Sequence, residues 1–385
     1  MNLSSLKISD TELISSKSHS RDGSAIQDIL DHLASGIEPR HIYTDSLRVN
    51  GEAVQDSFEK YLSADALQSS HLKKALITPL HYAFSQDDDA RALEDLEGEK
   101  GYFNIGTYLH QCILEPTLFS RAIVEPKFNL TTKEGVIQAI DFWKDMLYRE
   151  MIAGEEYTKK NLPIGIEAFV EWQKLGLSME KIDGQRAYLK LLKERSICTP
   201  VTEENFLKIK ILKKHLDEYG SGIIHSLVKH SKREISFYTD LDGMAVKVRP
   251  DAIQFKENIG VDAIISIKST ACEDLRAFYT YCASRHYDLT ESMYQDVVSQ
   301  VTGREFRTTI TIMLQTVEPY AIAIMVWSPD DIETGRYKYQ SALEVIRKAK
   351  ESGDYPGYEV IADNPFGLIE MKLPAWNGRE LLPSE

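Results

Sequence analysis

Two charged residues, Asp251 and Lys268, lie in neighbouring segments that both have the pattern of β-strands. Residues 244–255 and 261–269 are rich in β-branched residues, and residues 256–260 (KENIG) predict a turn between them. Because side chains alternate along a strand, such a hairpin can place Asp251 and Lys268 on one face of a sheet. A carboxylate can hold Mg²⁺, and an ammonium can orient a water or neutralise developing charge. The pair therefore suits metal-assisted phosphodiester hydrolysis.

Taken alone, the two residues also have a simpler interpretation. Asp251 can be a turn residue and Lys268 a solvated strand end, because charged residues on strands are common. The rest of the chain decides between these interpretations.

The surrounding elements predict an α/β fold. Residues 233–239 alternate as a strand and are followed by a turn at residues 240–243, so three strands joined by short turns predict an antiparallel meander. Residues 274–301 predict a helix, residues 306–314 and 320–327 two further strands, and residues 332–349 a last helix. This order indicates a mixed sheet flanked by helices.

The upstream half is predicted to be mostly helical. Residues 1–55 have the composition of a polar N-terminal leader, and residues 56–385 are enough for one large domain. Residues 106–115 carry apolar residues at helical spacing before Pro116. Residues 127–230 are rich in Glu, Lys and Leu and predict a helical insertion.

Composition limits the classes of protein that fit. The chain has 385 residues, of which 43% are hydrophobic, with four scattered cysteines and a net charge of −14. We expect no transmembrane helix, no secretory signal and no disulfide or zinc framework, and hence a reduced cytoplasmic protein. The charge disfavours a protein that coats nucleic acid through a broad basic surface, but it leaves room for a nuclease with a local basic groove.

Several short motifs occur together in a fixed order. They resemble those of the PD-(D/E)XK nuclease superfamily, in particular the exonuclease VIII (RecE-type) family, which is related to the RecB nuclease domain. The resemblance covers about residues 57–375. The segments that carry it are 62–82, 105–116 (IGTYLHQCILEP), 246–251 (VKVRPD), 264–270, 287–294, 318–320 and 335–357.

The resemblance implies a restriction-endonuclease-like core with a helical insertion and a Mg²⁺- or Mn²⁺-dependent exonuclease activity on duplex DNA ends. Such nucleases of phage or mobile-element recombination expose single strands for an annealing protein, and some form rings, so a homo-oligomer is expected. No iron–sulfur cluster and no fused NTPase is expected.

The resemblance also implies roles for individual residues, each with an alternative. Asp251 matches the central metal-binding aspartate and Lys268 the motif lysine. The others are His110 (approaching the metal, or a buried helix histidine), Glu234 (a metal-site acid, or an edge salt bridge), Arg249 (contacting the phosphate, or pairing with Asp251) and Tyr294 (lining the site, or core). The aromatic stretch 278–287 can stack unpaired bases or simply pack a helix.

Two positions depart from the family pattern. Ser266 stands where the (D/E)xK motif has an acid, and Thr290 stands where the helix has a glutamine. Glu234 or Glu291 could supply the missing carboxylate, whereas Asp262 lies ~13 Å down the strand. If neither does, we expect a catalytically impaired DNA-binding or scaffold protein, or a nuclease-like protein that binds only other proteins.

Overall fold

Short strands and many helices build the described part of the chain. This computed structural model describes residues 24–87, 113–114, 122–151, 163–196 and 199–372. The strands are β1 (Glu52–Val54), β2 (Ala122–Val124), β3 (Thr199–Val201), β4 (Lys232–Arg233), β5 (Ser236–Leu241), β6 (Met244–Val248), β7 (Ala252–Gln254), β8 (Ala263–Thr270), β9 (Thr308–Gln315) and β10 (Ile322–Val326).

The helices, in chain order, are α1 (Ala25–Ala34), α2 (Phe58–Ser63), α3 (Ser69–Ala75), α4 (Pro79–Phe84), α5 (Lys133–Met151), α6 (Pro163–Lys174), α7 (Ile182–Arg195), α8 (Glu203–Glu218), α9 (Ile223–Val228), α10 (Lys256–Ile259), α11 (Leu275–Ser284), α12 (Tyr287–Thr302) and α13 (Pro329–Ser352). Short 3₁₀ turns lie at Thr44–Leu47, Tyr219–Gly222 and Tyr358–Ile361.

A mixed sheet of five strands carries Ser266 and Lys268, and Asp251 directly precedes one of its strands. Its order is β10-β9-β8-β7-β4. β8 and β9 are parallel, and the other neighbours are antiparallel. Helices α11 and α12 connect the parallel pair, as a parallel crossover requires. A mixed sheet flanked by helices confirms the predicted α/β class.

Strand β8 is buried on both faces, and its two faces meet different layers. Ile264 packs in a cluster with Leu289 and Met293 of α12. Ile265 and Ile267 pack on the opposite side, in a cluster that includes residues of α8 and α9. Because side chains alternate, Ser266 and Lys268 share the face of Ile264. They therefore face α12.

The prediction of one strand across residues 244–255 is wrong. The chain bends at Arg249-Pro250-Asp251, so that β6 belongs to a three-stranded sheet, β1-β5-β6, and β7 to the five-stranded sheet. Proline has no N–H to donate to a ladder, which interrupts pairing at this point. The predicted meander is thus two antiparallel hairpins in different sheets, and the predicted turn 256–260 contains the short helix α10.

The prediction of one helix across residues 274–301 is also wrong. Two helices, α11 and α12, are separated at Arg285 and His286. His286 adopts a left-handed conformation with φ 50° and precedes the first turn of α12. The break lets α12 lie across the sheet at its own angle.

Helix α12 is fixed from its outer side by α13. The Asp296 carboxylate accepts hydrogen bonds from Arg336 Nε (2.7 Å) and from the Tyr339 hydroxyl (2.5 Å). Gly335 permits a close approach, because a Cβ there would lie 2.2 Å from the backbone oxygen of Asp288. These contacts set the depth of α12 over the sheet.

The N-terminal and inserted segments contribute to packing in different ways. Strand β1 pairs with β5, and Leu47 and Ala53 are buried in the same cluster as β5 and β6, although they fall within residues 1–55. Helices α5, α6 and α7, within residues 127–230, pack around Trp143 and Trp172 in a cluster of their own. None of the helices in the described ranges combines the length and apolar character needed to cross a membrane.

The packing of helix α3, and with it the stability of the protein, should depend strongly on the buried side chain of Leu72. Leu72 is fully buried, whereas Leu62 of α2 is 49% exposed. We expect Leu72→Ala to lower the free energy of unfolding by about 2–5 kcal/mol, and Leu62→Ala by less than about 1 kcal/mol. Equilibrium urea unfolding of the two variants measures this. Equal losses would contradict the packing of α3 described here.

Candidate active site

Asp251 and Lys268 converge on the α12 face of the five-stranded sheet. Ala252 pairs with Ile265 across the antiparallel β7–β8 ladder. Continuing that register by one residue places Asp251 opposite Ser266. The Asp251 carboxylate lies 3.7 Å from Lys268 Nζ and accepts a hydrogen bond of 2.6 Å from the backbone N–H of Ile267. Both side chains are mostly buried, so the simpler interpretation, a turn residue and a solvated strand end, does not describe them.

Glu291 of α12 reaches the position where the strand lacks an acid. The Ser266 hydroxyl lies 2.8 Å from Oε1 and 2.7 Å from Oε2 of Glu291, so its single proton serves one oxygen at a time. Glu291 Oε1 is also 3.8 Å from Lys268 Nζ. Of the two substitutes that the sequence offered, Glu291 is the one that the fold brings beside Ser266 and Lys268.

The buried charges at this point compensate one another. Burial raises the pKa of Glu291, while Lys268 and the Ser266 hydrogen bond act in the opposite direction. Burial alone would lower the pKa of Lys268, but Asp251 and Glu291 outweigh it, and the pKa rises above its ordinary value. Lys268 is therefore an ammonium held between two carboxyl groups.

Lys73 of α3 is a second cation at the site, and sequence reasoning missed it. Its Nζ lies 5.2 Å from the ring centroid of Tyr287, and Lys268 Nζ lies 5.7 Å from the same centroid. Burial lowers the pKa of Lys73 to about 8, which Glu291 partly opposes and Lys268 reinforces. The only sequence signal was its place in segment 62–82, where Lys73 and the exposed Lys74 look alike.

Arg249 and Glu234 belong to a network beside the site. Arg249 NH1 lies 3.0 Å from Asp56 Oδ1, and Arg249 Nε lies 2.9 Å from Glu234 Oε2. Asp56 also accepts hydrogen bonds from Ser236 and Tyr238. Arg249 thus makes ion pairs with Asp56 and Glu234, and its two predicted roles, contact with a phosphate or pairing with Asp251, stay predictions. Glu234, at φ 52°, lies directly against the bend, where its N–H donates to the Asp251 carbonyl.

The remaining predicted residues differ in where they lie. Burial raises the pKa of Tyr294 well above its ordinary value, and Glu291 and Asp251 add to this, so its hydroxyl stays protonated beside the acids. Tyr294 also packs against the core, so both of its predicted surroundings are found. Thr290 is buried, and within the described part of the chain its hydroxyl has no hydrogen-bond partner. His110 lies outside the described residues.

The donor set fits a hard divalent cation that keeps part of its water shell. Asp251 and Glu291 offer carboxylate oxygens on one face, each within 4 Å of Lys268 Nζ. Among the residues that the structure describes, no group of three His, Cys, Asp or Glu side chains is arranged to hold a metal. Mg²⁺ is commonly bound through one or two carboxylates plus waters and substrate phosphates. Two carboxylates therefore suffice for Mg²⁺ or Mn²⁺, and not for a closed structural zinc site.

Comparison with known proteins identifies the central segment. Residues 196–362 match the profile of a family described as a PDDEXK-like domain of unknown function (DUF3799). For this segment the match confirms the predicted PD-(D/E)XK-type fold. No curated protein matches the chain.

Two solved structures show distant similarity. One is the crystal structure of a "Putative exonuclease" from Eubacterium rectale, at 12% identity and a TM-score of 0.33, covering 67% of this chain and 98% of the other. The second is the crystal structure of SSO0001, at 15% identity and a TM-score of 0.20, covering 60% and 97%. Scores this low give no grounds for carrying a function from either protein to this chain.

A carboxylate at position 266 should conflict with Glu291 when no metal is bound. In Ser266→Asp, two carboxylates would stand within hydrogen-bond distance at a site that excludes water. We expect the melting temperature of this variant to be clearly below that of the wild type. Mn²⁺ should restore part of the lost stability, because it binds the folded state. Thermal unfolding with EDTA and with Mn²⁺ measures both effects.

Ser292→Asp is the matched control. Ser292 is equally buried on α12, but its hydroxyl donates to the Asp288 and Leu289 carbonyls. Its loss of stability should not respond to Mn²⁺. An equal response in both variants, or none at position 266, would contradict a shared ion at Asp251 and Glu291.

Proposed function

We propose that this protein is a metal-dependent deoxyribonuclease that hydrolyses phosphodiester bonds at the ends of duplex DNA, since residues 196–362 match a family described as a PDDEXK-like domain. The observation that carries the proposal is that Asp251, Glu291 and Lys268 meet on one sheet face. We further propose that Glu291 performs the task of the acid that Ser266 replaces.

Asp251 and Glu291 would hold the divalent ion. When bound there, Mg²⁺ or Mn²⁺ supplies charge neutralisation for the phosphate and activation of a water. Ser266 keeps the Glu291 carboxylate in place by donating its hydroxyl hydrogen bond. The backbone N–H of Ile267 does the same for Asp251. Both acids are thus oriented before substrate arrives, which lowers the cost of assembling the site.

Lys268 is suited to donate rather than to accept a proton. Its pKa is raised by Asp251 and Glu291 against the effect of burial, so the free amine is scarce at neutral pH. As an ammonium, it can orient the attacking water and stabilise charge that develops on the phosphate. It is not the general base of this proposal.

Lys73 adds a second positive group, and its Nζ lies 5.2 Å from the centroid of the Tyr287 ring. Its position beside Lys268 and Glu291 suits a contact with a non-bridging phosphate oxygen. Tyr294 can donate its hydroxyl proton to the same region, because burial keeps it protonated. These donors would hold the phosphate against the acids.

The finer description rests on the motif resemblance. We propose a RecE-like exonuclease of phage or mobile-element recombination that acts in the cytoplasm, hands single strands to an annealing protein and works as a homo-oligomer. A catalytically impaired DNA-binding or scaffold protein is the second candidate, and Ser266 in the motif position favours it.

Removing the Glu291 charge should abolish digestion. We expect Glu291→Gln and Lys268→Ala each to lower the rate on linear duplex DNA with Mg²⁺ by about 100-fold or more. Glu234→Gln should retain most of the rate, since Glu234 is paired with Arg249. Gel-based digestion measures all three. Loss of activity in Glu234→Gln with retention in Glu291→Gln would reverse the assignment of the second acid.

Moving the carboxylate from position 291 to position 266 tests whether that carboxylate is needed for catalysis or only for structure. Because Ser266 and Glu291 are in direct contact, the double variant Ser266→Asp with Glu291→Ser moves the acid back to the strand. It should digest DNA clearly faster than Glu291→Ser alone. If wild type and the double variant both bind DNA without digestion, the scaffold alternative is correct.

Substitution of Lys73 should lower the catalytic efficiency, whereas substitution of its neighbour Lys74 should not. We expect Lys73→Ala to lower kcat/KM by about 10- to 100-fold, because a charge-assisted contact with the phosphate is lost. Lys73→Arg should recover part of it. Lys74→Ala, on the exposed side of α3, should stay within about twofold of wild type. Equal effects at positions 73 and 74 would indicate a general loss of positive charge instead.

A further inference from the structure

A cavity opens on the same sheet face as the candidate active site, beside it. It has a volume of about 680 Å³ and lies between α11, the start of α12, α13 and the edge strand β10. Its apolar lining includes Phe278, Tyr279 and Trp327, and its polar lining includes Asp288 and Lys338. A volume of this size is in the range of small-ligand sites.

Strand register shows how near this cavity is to the acids. Ser266 pairs with Thr311 of β9, which pairs with Met325 of β10. Paired residues point to the same face, so Ser266 and the cavity residues Thr311 and Met325 form one row across three strands. At ~4.8 Å per strand, Met325 lies about 10 Å from Ser266. This is about three stacked nucleotides along one strand of DNA.

The aromatic side chains of the cavity leave ring surface free. Trp327 donates its indole N–H to the Thr311 hydroxyl at 2.9 Å, so its polar atom is satisfied and its orientation fixed. Tyr279 on α11 is 53% exposed. Rings held in this way are suited to stacking, which every nucleobase can use.

The floor of the cavity holds a buried acceptor that lacks a donor. Asp288 is 7% exposed, and its Oδ2 accepts a hydrogen bond of 2.5 Å from Lys338 Nζ. Its other oxygen, Oδ1, is buried and accepts no hydrogen bond from any residue that the structure describes. A buried carboxylate oxygen without a donor is costly, so a ligand that brings an N–H group there gains a hydrogen bond and relieves that cost.

We infer that this cavity binds one unpaired nucleobase of the DNA strand that is cut. The base would stack against Tyr279 and Trp327 and donate an N–H to Asp288 Oδ1, while Lys338 can donate to a neighbouring base acceptor. All four bases carry an N–H beside an acceptor, so no sequence preference is expected. The inference rests on the proposed function, because it places the cavity beside the scissile phosphate.

A hairpin DNA with one open end tests the inference, because it fixes the register of binding. An abasic site is placed at each terminal nucleotide of both strands in turn. Binding is measured by fluorescence anisotropy with Mg²⁺ in a Lys268→Ala background, so that digestion is suppressed. We expect one position at which loss of the base weakens binding by about tenfold, as expected for one lost stacking contact.

The variants show whether that base occupies the cavity. With Tyr279→Ala, the abasic site at that position should cause a clearly smaller loss, since one of the two stacking partners is already gone while Trp327 and Asp288 remain. Tyr337→Ala is the matched control, because Tyr337 is 73% exposed and lies outside the cavity lining. It should keep the full tenfold loss.

Two results would overturn the inference. One is that no abasic position weakens binding, and the other is that Tyr279→Ala retains the same loss as Tyr337→Ala. Either result leaves the nuclease proposal standing if the protein with Lys268 intact digests DNA with Mg²⁺. Absence of digestion in that protein, with the abasic effect present, would instead overturn the nuclease proposal alone.

Discussion

The hydrogen bond from Ser266 to the buried carboxylate of Glu291 is the contact on which the site depends. A carboxylate in a dry interior is unstable unless hydrogen bonds and an opposite charge compensate for its lost hydration. Ser266 supplies the first and Lys268 the second. Lys268 is itself buried, so it needs Asp251 as well as Glu291 to stay charged. The three charged groups therefore stabilise one another, and each must be positioned by a different part of the fold: the bend before β7, strand β8 or helix α12.

The bend at Arg249-Pro250-Asp251 provides the first of these positions. Proline interrupts the ladder, and Arg249 is held from both sides by Asp56 and Glu234. The end of β6 is therefore fixed in one sheet while Asp251 begins a strand in another. The packing of α12 against α13 provides the third position, since Asp296 joins Arg336 and Tyr339, and Gly335 lets the two helices approach. The site is thus set by contacts well outside it.

The sequence predicted the parts of this arrangement that depend on local periodicity. Asp251 and Lys268 share a face because strand side chains alternate, and β8, β9, β10 and α13 fall close to their predicted segments. The break of the helix at His286 could not be predicted, because no glycine or proline lies there. The choice between Glu234 and Glu291 could not be made either, because it depends on the tertiary angle of α12 over the sheet. Lys73 was missed for the same reason, since Lys73 and Lys74 differ only in which side of α3 packs inward.

Charge explains how an acidic chain can recruit a polyanion at this point. The protein carries a net charge of −14, so its overall field repels DNA. At the site, however, the charges of Asp251 and Glu291 are balanced by Lys73 and Lys268, which leaves the assembled group close to neutral. A divalent ion held by the two acids would make the same group positive, although the net charge of the chain is negative. The loaded site would then attract a phosphate more strongly than the empty one, so metal and DNA would each strengthen binding of the other, as linkage requires. If the protein acts on DNA as proposed, this coupling would favour binding at the point where the metal is held.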